Sequence, residues 1–288
     1  MTSPAEGASW AADYVVGPLL GWCVRIRSTD YRAGEYMRAI LGGERGSPAS
    51  GARHLDLRLT AASLDRFDLW IGDTLAAADV PASEAPARAL AALNRWICFT
   101  PGPLLVLHAA AAARSGGAVA LIGDSGAGKS SLVAALVCAG WTYLSDEAIG
   151  VDADANFHPY LRPITLRRGS WSALAQLEAR LPADRQRFAA TEWHVPALSL
   201  DAVATAPMPP RAVVLVRHEA GARADLRPIT RGAAIEQLVR QSCNLSHFGQ
   251  DGLDRLAAVV RQSSCFDFIS GSVGEGVGVI ETGLGLTA

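Results

Sequence analysis

In the first hundred residues, short runs of alternating apolar and polar positions predict strands with one wet face. Residues 22–26, 54–59 and 66–71 have this period of two. Residues 84–99 place Ala, Leu and Trp at helical spacing instead and predict a helix. Residues 42–51, rich in Gly and Ser, predict a flexible loop between the first two strands. The Pro101-Gly102-Pro103 turn then breaks the pattern, and the domain boundary is set there. A small N-terminal α/β domain is expected over residues 1–102 and a larger domain over 103–288.

Past the turn the pattern changes to continuous apolar runs, the mark of strands covered on both faces. Such runs fall at 104–108, 118–122, 142–145, 148–151 and 213–216, with a last strand predicted at 265–269. Helices are predicted over 129–139, 233–243 and 253–260. The Gly-rich tail from Gly271 carries no assignable pattern. Neither internal repeats nor low-complexity tracts interrupt this α/β reading.

Composition narrows the function classes. Half of the residues are apolar and 19% are charged, enough for a real core. With a net charge of -2 and a pI near 6.3, no basic field is available for nucleic acid. The polar opening residues do not have the form of a secretory signal, and no apolar run is long enough to cross a bilayer. No membrane association is therefore expected. The five cysteines are dispersed, odd in number and without C-x-x-C spacing, which speaks against a disulfide framework and a zinc site. A cytoplasmic location is the expectation, and the sequence leaves room for a homo-oligomer.

The basic residues are arginine with one exception, Lys129. Where Arg replaces Lys almost everywhere, the position that keeps Lys is expected to need a compact ammonium. It lies in Gly123-Asp124-Ser125-Gly126-Ala127-Gly128-Lys129-Ser130, a full match to the phosphate-loop pattern G-x-x-x-x-G-K-[ST]. An apolar strand leads in, and a helix beginning near Ser131 leads out. Glycines let successive backbone N–H groups curl around phosphate at a helix N-terminus. Residues 123–131 are the expected ATP site, with Lys129 on the β- and γ-phosphates and Ser130 on Mg2+. Nucleotide binding alone does not name a reaction.

Asp146-Glu147 follows the predicted strand 142–145. Two acids near a phosphate loop have two tasks available, to hold magnesium and to take a proton from an attacking hydroxyl. His108 ends the strand 104–107, and on its own it reads as a structural histidine.

Taken together, His108, the loop Gly-Asp-Ser-Gly-Ala-Gly-Lys-Ser, Gly140 and Asp146-Glu147 resemble the core of HPr kinase/phosphorylase over about residues 108–152. The segments Leu107-His108-Ala109-Ala110, Tyr143-Leu144-Ser145-Asp146-Glu147 and Pro159-Tyr160-Leu161-Arg162-Pro163 look more like the related serine kinases of peptide biosynthesis, including kinases of lasso-peptide precursors. The resemblance implies a P-loop kinase domain with a mixed sheet of the phosphoenolpyruvate-carboxykinase/HPr-kinase type. It implies Asp146 as base toward a serine hydroxyl, His108 close by and Glu147 assisting the metal. The chain departs from true HPr kinases in having Glu147 for Asp and no downstream Gly-rich phosphorylase signature.

Arg162 and Arg167 flank Pro163 and are candidate phosphate or substrate contacts, since the fork of a guanidinium suits phosphate oxygens. Arg240 and Asn244, four apart on the predicted helix 233–243, are candidates for the same task. The expected function is a kinase acting on serine in a peptide or small protein. The N-terminal domain would hold the acceptor, with its strands at 22–26 and 54–59 offering an edge for strand addition. An ATPase or nucleotide switch, a kinase for a small alcohol, and a non-enzymatic nucleotide-binding module remain the alternatives.

Overall fold

The structure is a computed structural model that describes residues 9–44, 53–167 and 192–286. The alternating runs build an N-terminal five-stranded sheet of β1 (Ala12–Leu19), β2 (Trp22–Ser28), β3 (Arg53–Ser63), β4 (Arg66–Ile71) and β5 (Thr74–Pro81). Its strands lie side by side in chain order, with β2 and β3 parallel and the other pairs antiparallel. Helices α1 (Tyr31–Leu41) and α2 (Ala85–Phe99) bring apolar stripes to it. Asp30 starts α1 by accepting the Ala33 N–H at 2.8 Å, and Gly42 ends it with a left-handed φ of 74°.

This sheet corrects the expected edge. Strands 22–26 and 54–59 became β2 and β3, which are paired on both sides, so the edges are β1 and β5. Glu44 also pairs with Val15 on β1. The predicted loop 42–51 is described only through Glu44, and the rest of it lies outside the described residues.

The continuous runs form the second large sheet. Its strands are β7 (Ala109–Arg114), β8 (Gly117–Ile122), β9 (Thr142–Ser145), β14 (Pro210–His218), β15 (Asp225–Pro228) and β16 (Ser264–Ser270). In space they run β15-β16-β14-β8-β7-β9. The sheet is mixed: β8, β14 and β16 are parallel, while β7, β9 and β15 pair antiparallel. All six residues of β8 are buried. Val119 and Leu121 pack toward α3 (Lys129–Cys138) and α6 (Val273–Gly283). Ala118, Ala120 and Ile122 pack toward α4 (Arg231–Arg240) and α5 (Gln250–Gln262). No described helix is long and apolar enough to cross a membrane.

Between the large sheets lies a small one, ordered β11-β10-β6, from β6 (Leu105–Leu107), β10 (Ile149–Val151) and β11 (Phe157–His158). A ribbon of β12 (Ile164–Arg167) and β13 (Glu192–Val195) lies beside α3. The apolar cluster of the first sheet runs on through Leu104, Val106, Ala148 and Tyr160, across the Pro101-Gly102-Pro103 turn.

The structure adds elements the pattern did not announce. Ala109–Arg114 is a strand despite the helix propensity of alanine, because β8 and β9 pair with it on either side and five of its six residues are buried. The Gly-rich tail forms α6, started by Ser272, whose hydroxyl accepts the Glu275 N–H at 3.4 Å. Gly276 lets α6 approach the sheet, since a Cβ there would lie 3.0 Å from the Phe268 ring.

Candidate active site

Residues 123–130 join the carboxyl end of β8 to the first turn of α3, beside the parallel strand β14. Gly123 is required by close approach: an added Cβ would lie 2.6 Å from the Val216 carbonyl oxygen. Gly126 and Gly128 have φ of 88° and 92°, which L side chains rarely adopt. The loop thus curls back at the N-terminus of a helix, where unpaired N–H groups favour an anion.

Lys129 is only 6% exposed. Its Nζ donates to the carbonyl oxygens of Gly123 at 2.6 Å and Asp124 at 3.1 Å, and lies 3.1 Å from His108 Nε2. An ammonium can only donate, so Nε2 accepts and the ring proton is on Nδ1. That Nδ1 lies 3.7 Å from a Glu147 oxygen. Burial pushes the Lys129 pKa down, opposed by Glu147, Asp146 and Asp124. Burial and the Lys129 charge also push His108 down, which keeps the imidazole neutral.

His108 owes its place to a change of sheet: β6 belongs to the small sheet, β7 to the large one, and His108 is the single residue between them. Its N–H donates to the Gln241 carbonyl at 2.7 Å, and the following Ala109 N–H donates to the Glu147 carbonyl at 3.1 Å. The acids follow β9 directly. Asp146 is 2% exposed, and its Oδ2 accepts the Thr165 N–H at 2.8 Å. Its Oδ1 is buried without a hydrogen-bond partner among the described residues. Burial raises its pKa to about 7, although Arg162, the Thr165 N–H and the Ser130 hydroxyl favour the ionised form. Glu147 pairs with buried Arg162 at 3.1 Å.

The structure therefore brings Lys129, Ser130, His108, Asp146, Glu147 and Arg162 together. Arg167 is exposed at the end of β12, two residues past Thr165. Arg240 and Asn244 do not share a helix face, because α4 ends at Arg240. The chain leaves the helix to pair with β6, with the Cys243 N–H donating to Val106 at 2.8 Å. Arg240 pairs with Glu236 on the surface at 2.8 Å. Asn244 is buried: its Oδ1 accepts the Val106 N–H at 2.8 Å, and its Nδ2 donates to the Leu104 carbonyl at 3.1 Å. Asn244 serves as a fastener for β6.

Two contributors had no sequence signal. Thr165 acts through a backbone amide that any residue but proline would supply. Gln241 donates from its side chain to Asp124 Oδ1 at 3.0 Å, a pairing across 117 positions that no local pattern encodes.

No family model and no curated protein matches this chain. Among solved structures it is similar to the Hpr(Ser) kinase/phosphatase from Coxiella burnetii at 11% identity and a TM-score of 0.28, covering 62% of this chain and 95% of that one. A likeness that weak leaves the functional reading to rest on the residues themselves.

Proposed function

We propose that this chain is an ATP-dependent kinase that moves the γ-phosphoryl group to a serine hydroxyl of a peptide or small protein. The observation that carries the reading is the setting of Lys129. The one lysine of the chain is buried at a curled glycine loop, with His108 on its Nζ and an acid pair within electrostatic reach. Lys129 would leave the Gly123 and Asp124 carbonyls for phosphate oxygens, and the loop N–H groups would take the rest.

The donor set fits a magnesium ion, which takes oxygen ligands: the Ser130 hydroxyl lies beside a carboxylate with one orphaned buried oxygen. Ser130 and Glu147 would hold the ion, which when bound offsets charge on the phosphates. Asp146, poised near pH 7, would take the hydroxyl proton as the oxygen attacks phosphorus. Neutral His108 orients Lys129, and Arg162 holds Glu147 in place.

A second assignment of the two acids is favoured by one observation. The Ser130 hydroxyl is close enough to Asp146 to favour its ionised form, while Glu147 is engaged with Arg162. On that assignment Asp146 holds the metal, and the more accessible Glu147 receives the proton.

The peptide acceptor rests on the resemblance stated above and on the N-terminal unit as an added surface. Were an acceptor strand to join that sheet, β5 is the edge with more exposed positions, four of its eight against two of eight in β1. A cytoplasmic location belongs to the same proposal. Incubation with γ-labelled ATP, magnesium and serine peptides tests it. Label in peptide supports the kinase; label only in inorganic phosphate would make the chain an ATPase. No transfer at all would leave a binding module, and label in a free small alcohol with peptides ignored would end the peptide assignment.

A further inference from the structure

The reactive groups of the candidate site lie to one side of the phosphate loop. The loop follows β8, whose neighbours are β7 on one side and β14 on the other. His108 precedes β7, and Asp146 and Glu147 follow β9, which pairs with the far edge of β7. Lys129 Nζ turns the same way and lies 3.1 Å from His108 Nε2. An anion in the loop therefore has its reacting end toward β7 and β9. The opposite side, at the carboxyl ends of the parallel strands β14 and β16, takes no part in the chemistry proposed above.

Neighbouring strands lie about 4.8 Å apart, so the end of β14 is one step from the loop. The approach is close. A Cβ on Gly123 would lie 2.6 Å from the Val216 carbonyl oxygen, and one on Gly128 would lie 3.6 Å from His218 Cβ. His218 is the last residue of β14 and is exposed. Its Nδ1 lies 2.9 Å from the carbonyl oxygen of Ser270, the last residue of β16. A carbonyl can only accept, so Nδ1 carries the proton and, in the neutral ring, Nε2 is an acceptor. Among the described residues Nε2 has no hydrogen bond of its own. The same Ser270 oxygen accepts the Glu219 N–H at 3.2 Å, and the Gly271 N–H donates to the Ala222 carbonyl at 3.0 Å. These backbone bonds hold the turn after His218 against β16, so the ring sits on a fixed frame.

We propose that His218 Nε2 accepts a hydrogen bond from a ribose hydroxyl of the bound nucleotide, which makes the ends of β14 and β16 the nucleoside half of the site. This rests on the ATP site proposed above and deepens it. With the terminal phosphate at Lys129 and the loop N–H groups around the phosphates before it, the nucleoside leaves toward β14, away from the acids. The space beyond the carboxyl ends of parallel strands is where ligands settle in open α/β sheets. Ribose is the first group past the phosphates, and His218 is the β14 side chain against the last glycine of the loop. A hydroxyl supplies the donor that Nε2 lacks.

Calorimetry on the full chain with magnesium and three ligands tests this: ATP, a dideoxy-ATP lacking both ribose hydroxyls, and inorganic tripolyphosphate. The unmodified protein should bind ATP about 3- to 10-fold more tightly than the dideoxy nucleotide, the range of one neutral hydrogen bond. His218→Ala should bind both nucleotides with the weaker affinity and tripolyphosphate as the unmodified protein does. His218→Phe, which keeps a ring and removes both nitrogens, should behave alike and serves where the alanine variant does not fold. A preference for ATP that survives in either variant, or is absent from the unmodified protein, overturns the ribose contact. Equal weakening of ATP and tripolyphosphate in the variants overturns it too, because His218 would then act through the loop. An unmodified protein that binds none of the three ligands would instead overturn the ATP site itself.

Discussion

The two large sheets differ in what surrounds them. In the five-stranded sheet, sequence neighbours are neighbours in space, and outward positions carry half-buried or exposed pairs such as Arg25–Asp13 and Arg66–Asp79. In the six-stranded sheet, strands from remote parts of the chain meet and helices cover both faces. Charges held at the carboxyl end of the covered sheet, or beside it, are dry. Lys129, His108 and Asp146 there have shifted pKa values, and desolvation is the leading cause for each. A wet sheet face makes charges cheap and weak, while a covered one makes them few and consequential.

The sharpest break in that contrast is Lys129→Ala. It removes charge-assisted contacts to phosphate in a dry site, and ATP binding should fall below detection by calorimetry while the circular dichroism spectrum stays native. Undiminished affinity would detach the loop from nucleotide.

Asp146→Asn should lower phosphoryl transfer about 10²–10⁴-fold with ATP affinity nearly kept. If magnesium affinity falls instead and transfer persists at saturating metal, Asp146 is the metal acid. The same variant has a pH signature. The folded carboxyl titrates near 7 and the unfolded one near 3.8, so the native state binds more protons in between. Stability from this group is present below about pH 4 and lost as pH rises through about 7. Asp146→Asn should flatten that loss, on the order of a few kcal/mol, in urea titrations at pH 5 and pH 8.

A smaller effect is expected at the fastener between the sheets. Asn244→Ala leaves the Val106 N–H and the Leu104 carbonyl buried without partners. It should cost about 1–3 kcal/mol in thermal unfolding. The smallest belongs to the wet side: Arg88→Ala breaks an exposed pair with Glu84 and should shift stability by less than about 0.5 kcal/mol.

The contrast also explains what was legible in the sequence. Period-two alternation exposed β2 because one wetter face writes polar residues into the strand, whereas β4 alternates although five of its six positions are buried. The both-face-buried β8 and β14 were legible as apolar runs with the glycine loop attached. Ala109–Arg114 was not, since its strand state comes from flanking partners that local propensity contradicts. Spacing drew attention to Lys129, Ser130, Asp146 and Glu147, which the fold brings together. It failed for Arg240 and Asn244, where pairing with β6 ended the helix early. The edge of the five-stranded sheet was also misplaced, because alternation reports burial and says nothing of pairing order.

The central claim, that Lys129 faces bound nucleotide phosphate, has one direct measurement because the chain contains one lysine. An acyl-phosphate derivative of ATP delivers its acyl group to an amine lying at the terminal phosphate. Peptide mass mapping should find Lys129 acylated and the label suppressed by excess ATP with magnesium. Lys129 left unlabelled, or labelled equally with and without competing ATP, would contradict the account.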